Sequence, residues 1–145
     1  MFVTKILAGK ATQGVLTIAP SARLTDAVAE LAKRKIGALV VSSDGRRAEG
    51  ILSERDVVRE LGNSGPGVLS RTVADLMTRA LQTCAPGDQS ADILARMTAG
   101  RFRHMPVEED GLLIGLISLG DVVKAQLSEV SMEKSALEAM ITGNA

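Results

Sequence analysis

Apolar positions in this chain alternate between two periods, and the alternation runs through twice. Val15-Leu16-Thr17-Ile18 is a short extended run closed by Pro20. Leu24, Ala27, Val28, Leu31 and Ala32 then fall on one continuous helical face, which Gly37 is expected to end. Ala38 to Ser42 reads as a strand, Ser43-Asp44-Gly45 as a turn, Gly50 to Leu52 as the return strand and Asp56 to Leu61 as a second helix. The run Gly62-Asn63-Ser64-Gly65-Pro66-Gly67 reads as a linker. Beyond it the order recurs. Leu81 to Cys84 is a strand, and Ala91 to Ala99 a helix with Ile93, Leu94 and Met97 inward. Strands follow around Met105–Val107 and Leu113–Ile117. A last helix runs from near Asp121 toward Ile141, and Leu127, Val130, Leu137 and Ile141 give it an apolar seam that Lys134 interrupts.

The two passes share a register. Pro20 and Pro86 are 66 residues apart, as are Asp44-Gly45 and Asp110-Gly111. Gly50 and Gly115 are 65 apart, so one residue is lost after the Asp-Gly pair, where a hairpin tolerates it. Val3-Thr4-Lys5-Ile6-Leu7 loosely echoes Val73-Ala74-Asp75-Leu76-Met77, so each half is expected to begin with a short helical turn. The expected fold class is α+β: two β-α-β-β-α repeats packed sheet to sheet with pseudo-twofold symmetry. Neither half is large enough to bury both faces of a three-stranded sheet alone. The boundaries read as an arm over 1–13, a first repeat over 14–62, a linker over 63–72, a second repeat over 73–127 and a C-terminal helix and tail over 128–145.

Composition narrows the function. Lys plus Arg equals Asp plus Glu at 17 each, which lacks the basic excess of a nucleic-acid or anionic-membrane binder. Aromatic residues are 1% of the chain, so any planar ligand lies against aliphatic walls. One cysteine, Cys84, excludes an internal disulfide and fits a reducing compartment. No apolar run approaches the ~20 residues of a membrane span, and Met1 to Lys5 lacks a signal peptide's apolar stretch. These features read as a soluble, cytoplasmic protein. With one His and one Cys there is no typical zinc site. Gly9-Lys10 lacks the spacing of a phosphate-binding P-loop, and no dinucleotide fingerprint is present.

The chemistry concentrates in Gly50-Ile51-Leu52-Ser53-Glu54-Arg55-Asp56 and its copy Gly115-Leu116-Ile117-Ser118-Leu119-Gly120-Asp121. Each reads as an apolar strand running straight into a helix. Ser and Asp three residues apart form a capping box, which alone explains either match. A carboxylate there is also suited to the two hydroxyls of a ribose, and a serine hydroxyl with free helix N–H groups to a phosphate. Arg103 and His104 stand at the mouth of the strand that carries Met105-Pro106-Val107 into the core. That pair is either a solvated basic patch with Arg101 or the partner of an anion. The first half has Gly37, Ala38 and Leu39 at the same register.

With these motifs in order, the sequence resembles a tandem pair of cystathionine-β-synthase (CBS) domains, a Bateman module, over about residues 3–127. The marks are Thr17-Ile18-Ala19-Pro20, Val73-Ala74-Asp75-Leu76-Met77-Thr78, Arg103-His104-Met105-Pro106-Val107 and both Gly-apolar-apolar-Ser-x-x-Asp turns. Ser53–Asp56, Met97–Val107 and Gly120–Lys124 are similar to stand-alone bacterial CBS-pair proteins. The resemblance implies a regulatory module without catalysis that binds AMP or another adenine nucleotide (ADP, ATP or NAD(H)) in the cleft between the repeats. Asp56 and Asp121 would take ribose, with Ser53 and Ser118 near phosphate. Arg103 and His104, followed by Met105 and Pro106, would form the phosphate approach. The departure at Gly37 and Ala38 weakens that grip in the first repeat unless Arg55 substitutes, so the two sites are expected to be unequal. Backbone at Thr17, Ile18 and Ala19, and at Thr83, Cys84 and Ala85, is suited to hydrogen-bonding adenine, although ordinary strand termination explains both equally. Lys124 either reaches a second phosphate or is a solvated helix face. Cys84 lacks a neighbouring base and is not read as a nucleophile.

Two other readings stand beside the sensor. One is a structural or oligomerisation module with a vestigial cleft. The other is a minimal enzyme, disfavoured by the missing nucleophile–base pair and metal ligands. A homodimer is expected, with an unidentified protein target and no nucleic acid, membrane or metal.

Overall fold

In the computed structural model, residues 1–10 and 14–143 are described; the last three residues of the arm (11–13) and the last two of the tail (144–145) lie outside the described residues. The chain divides into two compact bodies, one built from residues 14–83 and 106–116 and the other from residues 1–10, 84–105 and 117–143.

In the first body, β1 (Thr17–Ile18) pairs in parallel with β2 (Ala38–Val41), and β2 pairs antiparallel with β3 (Gly50–Ser53). Helix α2 (Leu24–Arg34) is the β1-to-β2 crossover, and β3 runs directly into α3 (Glu54–Ser64). The core is aliphatic: Leu24, Ala27 and Leu31 of α2 meet Leu39, Val41, Leu52 and Val57, with Val73, Leu76 and Met77 closing over them. Those last three come from and follow α4 (Val73–Leu76), beyond a 3-10 turn over Pro66–Ser70.

The second body contains α1 (Val3–Ala8), α5 (Ser90–Gly100) and the 24-residue α6 (Leu119–Thr142). Val3, Ile6, Cys84, Ile93, Met97, Met105, Ile117, Val122 and Ala125 are buried apolar side chains of this body. Strands β4 (His104–Glu109) and β5 (Leu112–Ser118) form a two-stranded sheet. Asp110 and Gly111, at φ 54° and 75°, make the two-residue turn between them.

The short helices are exchanged with respect to the sequence order. The sequence pattern lets 73–77 open the second half, yet α4 lies in the first body. Val73 and Ala74 donate their N–H groups to the carbonyls of Ala22 and Pro20, both at 2.9 Å. Val3 and Thr4 of α1 do the same to Asp88 and Pro86, at 2.9 and 3.1 Å, 66 residues further on. The echo between 3–7 and 73–77 marks two equivalent docking helices, each satisfying its own N-terminal N–H groups on a neighbouring turn.

Other expectations shift by a few residues for local reasons. Helix α2 ends at Lys35 rather than Gly37. Lys35 is left-handed at φ 54°, and Ile36 N–H closes back on Leu31 O at 3.1 Å, a Schellman end that turns Ile36 against the core. Arg101 and Phe102 repeat this at the end of α5, with φ 56° and a 3.2 Å bond to Met97 O. Helix α3 runs through Gly62, Asn63 and Ser64, so the linker begins only at Gly65. The predicted strand at 81–84 is reduced to a single β-bridge residue, Cys84. Directly after it, Ala85 N–H donates to the Asp88 carboxylate at 2.8 Å, around the Pro86-Gly87 turn. The first expected strand is shortened to Thr17–Ile18.

Candidate functional site

Both strand-to-helix junctions are closed by capping boxes. In the first, Asp56 N–H donates to Ser53 Oγ at 3.3 Å, and Asp56 Oδ2 accepts from Ser53 N–H at 2.9 Å and Ser53 Oγ at 3.0 Å. In the second, Asp121 N–H donates to Ser118 Oγ at 3.1 Å, and Asp121 Oδ2 accepts from Ser118 N–H at 2.8 Å. A third box, Thr72 with Asp75, starts α4. Ser/Thr-x-x-Asp is therefore first a device for starting helices here, and only surroundings distinguish the copies.

The strand before each turn is anchored the same way. Glu54 N–H donates to Gly37 O at 2.9 Å, and Leu119 N–H donates to Arg103 O at 2.7 Å. Gly37 thus stands beside Ser53 and Asp56, and Arg103 beside Ser118 and Asp121. Register places Ala38 opposite Ser53 and Leu39 opposite Leu52. Ala38, Leu39, Met105 and Pro106 are buried, so their backbone is what a ligand could reach; Arg55 and Lys124 are exposed. Thr17 and Ile18 are half-buried in β1, and Ala19 is exposed. Thr83 and Pro106 belong to the first body, whereas Cys84, Ala85, Arg103, His104, Met105, Ser118, Asp121 and Lys124 belong to the second.

The two carboxylates differ. Asp56 is 5% exposed, and its second oxygen, Oδ1, accepts from Arg59 Nη2 at 3.0 Å. All its partners are its own neighbours in sequence. Asp121 is half-buried and takes a distant partner, Lys10 Nζ, at 2.8 Å. Burial pushes the Asp121 pKa up, but the Lys10 hydrogen bond and charge, with the Ser118 N–H, outweigh it and hold the carboxyl below its ordinary 3.8.

Asp121 also lines a cavity of about 550 Å³ in the groove where α1 meets α6. Lys5 and Ile6 face it from α1, with Gly9 and Lys10 just beyond that helix. Lys124, Ala125 and Ser128 face it from α6. Of these, sequence reasoning singled out Asp121 and Lys124, and considered Lys10 only to reject a P-loop. The signal that pointed further was the echo of 3–7 in 73–77, which makes the arm part of a body rather than a tail.

Cys84 is buried, and burial, with Asp88 beside it and Arg96 opposing, pushes its thiol up to about 12. It is a protonated packing residue at neutral pH. Among the described residues no three His, Cys, Asp or Glu side chains gather as metal ligands, and no helix is long and apolar enough to cross a membrane.

Two strand–helix repeats, each with a capping box where its return strand becomes a helix, define a tandem α+β repeat module. The CBS domain family matches residues 6–63 and 73–128, and the chain belongs to that family. A CBS-domain-containing protein from Agrobacterium tumefaciens, solved by crystallography, is 39% identical, with a TM-score of 0.82 over 87% of this chain and 99% of its own. A mitochondrial CBS domain-containing protein of Arabidopsis thaliana is 38% identical over 81% of this chain, which spans 59% of that relative's length. A CBS-domain pair crystallised with 5′-methylthioadenosine and S-adenosyl-L-methionine shares the fold at a TM-score of 0.77 and 18% identity, over 89% of this chain and 98% of its own. CBS pairs are regulatory modules.

Proposed function

We propose that this chain is a cytoplasmic regulatory sensor that binds AMP or a related adenosine ligand, performs no catalysis and acts on a separate protein target. The observation that carries the reading is Asp121, a charged carboxylate fixed in the capping box of the α6 first turn and lining a cavity of about 550 Å³, a size that suits a small molecule. Its second oxygen, Oδ1, is available to a ribose hydroxyl, and in this reading Ser118 with the α6 N-terminus takes a phosphate. The adenosine ligands of the structurally similar CBS pair support the ligand class. Asp56, buried and engaged by Arg59, supports a weaker or empty first site.

The test is calorimetry and thermal melting with AMP, ADP, ATP, NAD and NADH. A ligand at about 100 times its Kd contributes about 2.7 kcal/mol, a melting shift of about 5 °C or more. Asp121→Asn keeps a capping oxygen and removes the charge, so it should weaken binding about tenfold or more. Absence of heat and of any shift with all five ligands refutes the reading and favours the vestigial module.

We propose further that the chain is a homodimer paired through α6. Val123, Leu127, Val130, Lys134, Leu137 and Ile141 follow the 4-3 spacing of a coiled-coil seam, and the five apolar ones are exposed. A second copy of the same seam is its natural cover, since a two-fold interface pairs one patch with itself. Lys134, at a core position, sets register at a cost in stability. Sedimentation should give a dimer that Leu137→Glu dissociates. A monomer at high concentration refutes this.

A further inference from the structure

The groove between α1 and α6 gathers positive charge in a chain whose formal net charge is zero. Lys5, Lys10 and Lys124 line it, against the single carboxylate of Asp121. Asp121 already has its counter-charge in Lys10 at 2.8 Å. The nearby Met1 amino group is paired with Glu129. Among the described residues, neither Lys5 nor Lys124 has a carboxylate within ion-pair reach. Two ammonium groups therefore converge on one cavity without local neutralisation, one from each wall. The cavity has room for more than a ribose, and Ser128 adds a hydroxyl to its floor.

We propose that this groove takes the oligophosphate end of an adenine nucleotide, so that the second repeat selects di- and triphosphates over AMP and over uncharged adenosine ligands. The inference rests on the reading of Asp121 as the ribose contact and names the ligand class for that same site. Lysines suit it as point charges on flexible stems that follow a phosphate chain, without the fixed fork of arginine. Neither lysine belongs to the capping box, and both are exposed, so the selectivity is separable from the fold.

The experiment is calorimetry on the full chain, wild type and the double variant Lys5→Ala/Lys124→Ala, with AMP, ATP and inorganic tripolyphosphate. Melting curves establish that the variant is folded. Wild type is expected to bind ATP about tenfold more tightly than AMP, with the preference shrinking as salt is raised. The double variant is expected to lose that preference and to lose tripolyphosphate binding. Equal affinity for AMP and ATP in wild type, or a preference that survives in the variant, overturns the inference and leaves the adenosine reading intact. Lysine-dependent tripolyphosphate binding with no nucleotide bound overturns the adenosine reading and the nucleotide selectivity with it, leaving a groove for inorganic oligophosphate alone. Binding of none of the three overturns both.

Discussion

Lys10→Met and Asp121→Asn, made singly and together, isolate the contact that ties the N-terminal segment to the second turn. The two charged groups meet at 2.8 Å with side chains 28% and 26% exposed. That geometry lies between a solvated surface pair, at about 0–1 kcal/mol, and a fully buried one, whose breakage costs about 3–5 kcal/mol. A charge-assisted hydrogen bond so placed contributes about 1–2 kcal/mol. Asparagine leaves an oxygen to accept the Ser118 N–H, so the capping box survives and the loss is confined to the ion pair. Methionine keeps most of the Lys10 stem. Each single variant should therefore lose about 1–2 kcal/mol, or about 2–8 °C in melting temperature, and the double variant little more than either. The pH dependence has a fixed sign. The Asp121 carboxyl lies below its ordinary 3.8 in the folded chain, so the unfolded chain binds this proton more readily. The contribution is complete above about pH 5 and drains away as pH falls through the folded value. Urea denaturation of the four proteins at pH 7 and at about pH 3 measures both effects. Single costs that simply add, with coupling below about 0.3 kcal/mol, refute the reasoning, as does coupling that persists undiminished in acid.

Three further outcomes follow from local geometry. A Cβ on Gly50 would lie 2.7 Å from Met77 Sδ and 3.0 Å from the Thr78 carbonyl, so Gly50→Ala should destabilise by about 1–3 kcal/mol in urea; a change within about 0.5 kcal/mol contradicts the close packing. Ser53→Ala removes the α3 N-cap and should cost about 1 kcal/mol, whereas Ser53→Thr, which keeps the hydroxyl, should cost less by the same denaturation measurement. Cys84, with its thiol at about 12, should resist alkylation at pH 8 at least a hundredfold more than a free thiol, by roughly the thiolate deficit, until the chain is unfolded; rapid native labelling would show that the thiol is not buried as described.

What could be read from residues alone was whatever is encoded within a few positions. The helical face of Leu24, Ala27 and Leu31, the Asp110-Gly111 hairpin and both capping boxes depend on backbone conformation and neighbours one to four residues away, and the 66-residue register is the recurrence of such local signals. The CBS family was legible for the same reason, since its marks are short and ordered. Helix ends were less so: Lys35 and Arg101 take left-handed caps as the last turns close back on Leu31 and Met97, which turns Ile36 against the core, and intrinsic propensity would have favoured glycine.

Tertiary structure alone decided which segments keep company. Nothing local says that α4 packs in the body of the first sheet while α1 packs beside α6, because equivalent docking helices carry equivalent patterns. Nothing local pairs Lys10 with Asp121 across 111 residues, or separates a buried Asp56 from a cavity-lining Asp121 when both sit in the same motif. Side-chain spacing fixes the local backbone, whereas the charge and volume around a side chain are set by elements far away in sequence, and those two quantities divide a helix cap from a binding site.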